Sequence, residues 1–254
     1  MKLSIITVSY NSENFIEKCI TSVISQSYKN IEYIVIDNLS TDNTSKILQK
    51  YSNNISLIVQ ERDKGVYDAM NKGIKFAKGD VVGFLNSDDF YADKEVLSKV
   101  ANKFNENPSL GACYSDLIYI DKINSSKIIR YWESNQFVPG SFSKGWCPPH
   151  PTFFVRRLVY KYFGGFNLNY RTASDVELMM RFLEINKICS EYVPEIWVNM
   201  RIGGLSNRSL KSIICQNQDV RRALANHGLN NNFILFFTCK IISRIKQLIR
   251  RKNI

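Results

Sequence analysis

Two spacings of apolar residues alternate along the first ninety positions. Residues 3–8 (LSIITV) form an unbroken β-rich apolar run, and after Asn11-Ser12 the residues Phe15, Ile16, Cys19, Ile20, Val23 and Ile24 recur at helical spacing. The pattern predicts a strand, a cap and an amphipathic helix. It then repeats, with a strand over 31–36, a turn over 37–41 and a helix over 44–51. A third strand follows at 55–59, a helix at 66–77 and a fourth strand at 81–85. Continuous apolar strands alternating with helices predict a mostly parallel sheet covered on both faces, the α/β class.

After Asp89 the rhythm loosens. A helix is predicted over 94–104, then two antiparallel strands at 112–120 and 126–132. Residues 137–151 read as a loop, with Gly140, Gly145, Pro139, Pro148, Pro149 and Pro151; a loop of that length more often carries function than not. Beyond it the pattern predicts a strand at 152–155, helices at 157–163 and 174–186, a strand at 196–201, and helices at 210–227 and 233–251. Gly203-Gly204-Leu205-Ser206 reads either as a hinge for a closing loop or as a tight turn.

The 254 residues are 44% hydrophobic and 22% charged, which suits one sizeable core. No Pro/Gly/Ser-rich linker separates a second domain. Charge divides unevenly. Residues 1–200 hold 23 Lys and Arg against 22 Asp and Glu, whereas residues 201–254 hold 11 against 1. A neutral body with a basic tail points to anionic lipid headgroups before nucleic acid, the alternative being a solvated helix face. Residues 233–254 contain six cations and no acid, with Phe237, Ile241, Ile245 and Leu248 at helical spacing. This segment is too short and too charged to span a bilayer, so it reads as a basic amphipathic helix in the interface, or else as a core or dimer helix. Six scattered cysteines without a CxxC spacing and only two histidines argue against a zinc site. The short apolar start meets polar residues by Asn11, unlike a signal peptide, and a cytoplasmic chain with reduced thiols is expected.

In an open parallel sheet, ligands bind at the carboxyl ends of the strands. Those ends here are Thr7-Val8-Ser9-Tyr10-Asn11, Asp37-Asn38, Gln60-Glu61-Arg62-Asp63 and Asn86-Ser87-Asp88-Asp89. Together they offer an aromatic ring to stack a base, a carboxylate to accept hydrogen bonds and an acidic pair for a divalent cation, the requirements of a nucleoside diphosphate site. Neither GxxxxGK[ST] nor GxGxxG occurs, so a hard cation must neutralise the diphosphate. Asp88-Asp89 could hold Mg²⁺ or Mn²⁺, or could simply cap a helix.

TVSYN (7–11), VIDNLSTDNT (35–44), ERDKGVYDAMNKGIKFAKGD (61–80) and FLNSDD (84–89) resemble, in order and spacing, the family 2 glycosyltransferases of GT-A fold. Weaker similarity continues through HPTFFVRR (150–157), SDVELMMRFLE (174–184) and GGLS (203–206). The resemblance implies a GT-A domain over 1–210, with a nucleotide-sugar half (1–112) and an acceptor half (113–210), followed by basic helices over 211–254. It implies that Thr7, Val8 and Tyr10 line a base pocket and that Asp37 contacts the base, most often uracil. Asn86 and Ser87 would meet the donor, Asp63 would help hold it, and Asn71 would brace its helix. Asp88, with help from Asp89, would hold the cation. Asn86 stands where the family commonly has aspartate, which removes one formal charge from the cation site.

The family's general base falls at Ser174-Asp175, which makes Asp175 the catalytic candidate, deprotonating an acceptor hydroxyl for in-line, inverting attack. Glu177 and Arg181 read as a surface ion pair of the i, i+4 kind. His150 is either an acceptor-side residue or a structural histidine. The resemblance further implies a polyprenyl-diphosphate-linked saccharide acceptor, O-antigen or capsule synthesis, and a chain held peripherally on the inner face of the cytoplasmic membrane. Truncation after Asn232 is then expected to release the protein from membranes while preserving transfer to soluble acceptor analogues. The competing readings are a sugar nucleotidylyltransferase, disfavoured by the glycine-free loop Ser9-Tyr10-Asn11-Ser12, and a non-enzymatic basic-tailed binding module; nucleic acid is not an expected partner.

Overall fold

The computed structural model describes residues 1–203 and 210–250. Most of the Gly203–Ser206 segment, the side chain of Leu248 and the final four residues lie outside that description. The first half is built as the apolar pattern predicts. Strands β1 (Leu3–Ser9), β2 (Ile31–Asp37), β3 (Leu57–Gln60) and β4 (Val81–Phe84) pair in parallel in the order β3-β2-β1-β4. Helices α1 (Ile16–Ile24), α2 (Thr44–Lys50) and α3 (Val66–Phe76) connect them. Every residue of β1 is buried, as expected of a central strand covered on both faces. Its alternate side chains feed two cores: Ile6 and Val8 pack with Ala69 and Met70 of α3, whereas Leu3 and Ile5 pack with Ile16, Cys19, Ile20 and Val23 of α1.

The second half continues the same sheet with mixed pairing. After β5 (Phe90–Tyr91) and α4 (Val96–Glu106) come β6 (Ala112–Ile120), β7 (Ile128–Trp132), β8 (Phe154–Arg156) and β9 (Ser190–Arg201). β8 inserts antiparallel to β4 and to the start of β6, β7 runs antiparallel to the end of β6, and β9 lies parallel along β6. β5 pairs antiparallel with β9; two residues are too few to show in an apolar pattern. Gly83 permits the close contact of β4 with β8, because a Cβ there would stand 2.3 Å from the Phe154 ring.

β9 begins six residues earlier than the pattern predicts. The register jumps from Ser115 opposite Val193 to Asp116 opposite Ile196, so Pro194 and Glu195 sit in an irregularity that tolerates a proline and hides the strand from an alternation test. The helix predicted over 174–186 divides into α6 (Ser174–Met180) and a π-helical turn over Arg181–Ile185. Helix α5 (Arg157–Phe163) precedes it, and α7 (Leu210–Asn226) and α8 (Phe233–Arg250) end the described chain.

Helix α8 packs on the domain. Phe236 is fully buried in the core that also holds Val220, Ala223 and Leu224 of α7, and Phe142 and Trp146 of the long loop. The loop accommodates the helix at Gly145, whose φ of +73° is left-handed and whose added Cβ would lie 3.2 Å from both Lys240 Cβ and the Phe236 carbonyl. The opposite face leaves Ile234, Ile241, Ile242 and Ile245 exposed. No helix among the described residues is long and apolar enough to cross a membrane.

Candidate active site

The strand ends of the first half are tied to one another before any ligand is considered. Asn11 adopts φ +47°, and its side-chain oxygen accepts from the Thr41 backbone N–H at 2.9 Å, while its own N–H donates to Ser40 Oγ at 2.9 Å. Asp42 accepts from the N–H groups of Glu13 and Thr44, and Ser12 Oγ meets Ser87 Oγ at 2.8 Å. Much of the TVSYN and VIDNLSTDNT blocks therefore stitches three loops into one rigid rim.

That rim borders a cleft of about 770 Å³. Val8, Tyr10, Asp63, Asn86, Ser87, Asp88, His150 and Asp175 all line it. Three of the predicted residues do not. Thr7 is fully buried, its hydroxyl against Tyr33 OH and Cys19 Sγ, because its place in β1 points it into the α1 core. Asp37 is also fully buried and accepts hydrogen bonds from Ser9 Oγ, Ser40 Oγ and the Ser40 N–H. It organises the rim from behind and does not line the cleft. Asp89 accepts from the Arg201 backbone N–H at 3.1 Å and from Asn86 Nδ2 at 3.1 Å. Each of its oxygens thus has a protein donor, and the pair of bonds locks the end of β9 to the end of β4.

Asp88 faces the cleft with a carboxyl that burial pushes above the ordinary carboxylate range, against the pull of Arg201 and Lys122. Among the described residues no group of three or more His, Cys, Asp or Glu could hold a metal ion. The donors present, one carboxylate and the neighbouring Ser87 hydroxyl, fit a hard cation that completes its shell with water and substrate phosphate oxygens, the usual arrangement for Mg²⁺.

Asp175 enters from the first turn of α6, half-buried, and its Oδ1 accepts a 2.8 Å hydrogen bond from Tyr67 OH. Tyr67 sits in the first turn of α3, where Gly65 (φ +123°) turns the chain into the helix. Burial, with Asp175 beside it, holds the Tyr67 phenol well above its ordinary value, so it remains a donor. Tyr67 stacks on Phe166 at 5.5 Å, and Phe166 meets Phe84 and His150 edge-on. His150 in turn stacks on Phe84 at 5.6 Å. It lines the cleft as part of this aromatic floor, and burial lowers its pKa, keeping the ring neutral. Cys147, also on the wall, is pushed up to about 12 by burial and is no nucleophile.

Glu177 and Arg181 are not a surface pair. Glu177 is 2% exposed and its Oε1 meets both Arg181 Nε at 3.0 Å and His227 Nε2 at 2.9 Å. Arg181 also donates to the carbonyls of Phe163 and Gly165. The cluster joins α6 to α7 and fixes the helix that carries Asp175. Asn71 braces outward rather than within its helix, donating to the Phe166 carbonyl and accepting its N–H.

The sequence reading missed the far wall. Lys240, Arg244 and Gln247 of α8, with Gln216 and Val220 of α7, line the same cleft. The tail is therefore not an independent attachment: a cut after Asn232 removes part of the cleft wall.

The sequence profile of the family described as Glycosyl transferase family 2 matches residues 4–163. The chain belongs to this family. Across 208 residues the family 2 glycosyltransferase is 30% identical to a PGL/p-HBAD biosynthesis glycosyltransferase of Mycobacterium bovis, spanning 80% of this chain and 78% of that protein. It is 25% identical to the hyaluronan synthase of Pasteurella multocida over 92% of this chain but 24% of that much longer protein. Solved structures share its fold. S. aureus TarS 1–349 in complex with UDP superimposes with TM-score 0.66 at 22% identity, over 91% of this chain and 68% of that one. The mannosyltransferase PcManGT from Pyrobaculum calidifontis, in complex with GDP-Man and Mn²⁺, gives 0.67 at 18% identity, over 89% and 63%. The fold is thus the α/β glycosyltransferase fold that the four motif blocks implied.

Proposed function

We propose that this glycosyltransferase inverts configuration while moving a sugar from a nucleoside diphosphate, UDP being the first candidate, to a saccharide carried on polyprenyl diphosphate. Its product would be a unit of a bacterial surface polysaccharide such as O-antigen or capsule. One observation carries the reading: Asp88, on the rim of strand ends, and Asp175, beside the long loop, open onto a single cleft. The UDP bound by TarS, and the GDP-Man and Mn²⁺ bound by PcManGT, support a nucleotide-sugar donor and a divalent cation here.

Asp88 would hold Mg²⁺ or Mn²⁺, which when bound neutralises the departing diphosphate. The remaining work belongs to the chain. Tyr10, 59% exposed at the rim, offers a ring for the base, and Val8, Asp63, Asn86 and Ser87 shape the donor side. Tyr67 engages Asp175 Oδ1, which leaves Oδ2 for the acceptor hydroxyl. As that hydroxyl attacks the anomeric carbon, its proton passes to Asp175 and the bond to the diphosphate breaks on the opposite face. The exposed Ile234, Ile241, Ile242 and Ile245 stripe on a basic helix suits peripheral seating on an anionic membrane, where a lipid-borne acceptor resides.

The test is a panel of nucleotide sugars incubated with Mn²⁺ or Mg²⁺, with and without chelator, the product's anomeric configuration being read by NMR. Inverted product and loss of transfer with chelator are expected. A retained configuration would overturn single displacement, and transfer indifferent to chelator would remove the cation.

A further inference from the structure

Cations from different elements line the cleft, Lys122 and Arg201 at the strand ends and Lys240 and Arg244 on α8. Arg201 and Lys122 act on Asp88, at the donor rim. Lys240 acts on Cys147, which also feels Asp175, and Arg244 acts on Tyr119. Lys240 and Arg244 are one helical turn apart on the inner face of α8, and both line the cleft. Besides Asp63 and Asp88, two carboxylates line the cleft, Asp175 and Glu133. No ion pair among the described residues joins either of them, or any other acid, to Lys240 or Arg244. Lys240 is half-buried over the Phe236 ring and, among the described residues, donates only to the amide oxygen of Asn217, at 2.6 Å. Burial pulls its ammonium below the ordinary value.

A cation withdrawn from water without a counter-charge is costly, and a ligand's anion relieves that cost. Two further groups at the same wall lack partners: the Oε1 of Gln247, a residue only 9% exposed, and the indole Nε1 of Trp146. Unpartnered polar atoms around paired cations are the signature of a polar ligand's seat, not of a core. The other face of the same helix carries the exposed isoleucine stripe. A helix is about 10 Å across with its side chains. One that rests on lipid by its outer face therefore presents its inner cations at headgroup depth.

We infer that Lys240 and Arg244 form an anion subsite at the acceptor end of the cleft, which takes the phosphate or diphosphate by which a lipid-borne acceptor is joined to its chain. The inference rests on the glycosyl-transfer reading and assigns the side chains that would meet the acceptor's diphosphate. Lys240 and Arg244 act as specificity residues, and Gln247 and Trp146 supply the polar contacts around them.

Calorimetric titration of the full chain, saturated with UDP and Mn²⁺, tests it with geranyl diphosphate as probe and with geraniol and inorganic phosphate as comparators. The wild type is expected to prefer geranyl diphosphate to both comparators. The double variant Lys240→Gln, Arg244→Gln is expected to weaken geranyl diphosphate at least tenfold while UDP affinity stays within twofold. The charge-conserving pair Lys240→Arg, Arg244→Lys is expected to retain binding within about threefold, which separates charge from folding. Equal binding by wild type and Gln variant, or equal loss in both variant pairs, would overturn the subsite. So would a parallel loss of UDP affinity, which would assign these cations to the donor. Inorganic phosphate binding as tightly as the prenyl compound would overturn the lipid-borne part. A wild type that fails to bind UDP would overturn the transfer reading and the subsite with it, whereas UDP binding with charge-blind prenyl binding overturns the subsite alone.

Discussion

The two walls of the cleft are made in different ways. On the donor side, short loops follow buried parallel strands and are pinned to each other by side-chain hydrogen bonds, Asn11 to Thr41, Ser12 to Ser87 and Asp42 to Glu13. On the acceptor side, a long loop and two terminal helices lean together through Phe236, Phe142 and Trp146. The first wall is organised by polar contacts that orient, the second by apolar contacts that fill. A rigid polar rim suits a ligand of fixed shape such as a nucleotide. A wall made by packing can change its lining residues without disturbing the sheet, and that is where the proposed acceptor would be read.

Asp175 stands between the two walls, and its removal is the severest way to break the division. Asp175→Asn keeps the Tyr67 hydrogen bond but cannot take a proton. A fall in kcat on the order of 10³-fold is expected, the usual range for a lost general base, with UDP affinity unchanged by calorimetry. Residual transfer near wild-type rate would take Asp175 out of the mechanism. Truncation after Asn232 attacks the second wall alone. Transfer to a prenyl-linked acceptor is expected to drop roughly 10²-fold through lost positioning, while UDP binding persists; equal transfer by the truncated chain would show the helix to be dispensable for the cleft.

The donor wall's own construction is sharpened by comparing the two adjacent aspartates. Asp89→Ala strands the Arg201 N–H and the Asn86 amide, both inside the protein, and a loss of about 1–3 kcal/mol in unfolding free energy is expected. Asp88→Ala removes a desolvated carboxylate that has no such structural partners, and is expected to abolish Mn²⁺-dependent UDP binding while costing little stability. Urea denaturation and calorimetry on the two variants distinguish them, and a reversal of the two phenotypes would return Asp89 to the cation.

What was legible beforehand follows the same line. Strand ends Val8, Asn86 and Asp88 could be placed because a continuous apolar run announces a buried parallel strand, and residues just past it must reach the carboxyl edge. For Thr7 and Asp37 the same logic finds the strand end but not the direction of the side chain. Alternation decides which face of a strand a side chain takes, and both lie with the core side chains. Nothing local tells a carboxylate facing a cleft, such as Asp88, from one like Asp89 that accepts from a backbone N–H more than a hundred residues away. Lys240 and Arg244 carried a signal, cations at i, i+4 on an amphipathic helix, but that helix has two usable faces. Only the contact of Phe236 with Gly145 reveals which face turns inward. Tyr67 lay within a recognised motif block, yet its partner is 108 residues distant.

His150, on the seam of the two walls, gives the smallest effect and the finest test. Stacked on Phe84 and edge-on to Phe166, its imidazole is held by aromatic contacts on a floor that disfavours charge, so its pKa lies below the ordinary 6.5. The unfolded chain then binds a proton at a pH where the folded chain does not. Between 6.5 and the folded pKa, stability therefore rises with pH and declines as pH falls, until the folded histidine protonates too. With only two histidines in the chain, NMR titration can follow each one, and His150→Gln serves to assign the signals. The variant is expected to lose the part of the acid-side stability decline that His150 contributes. A His150 resonance titrating at or above 6.5 would mean that the ring meets solvent or a carboxylate. It would then belong to the acceptor wall as a polar residue, not to the aromatic floor that joins the two.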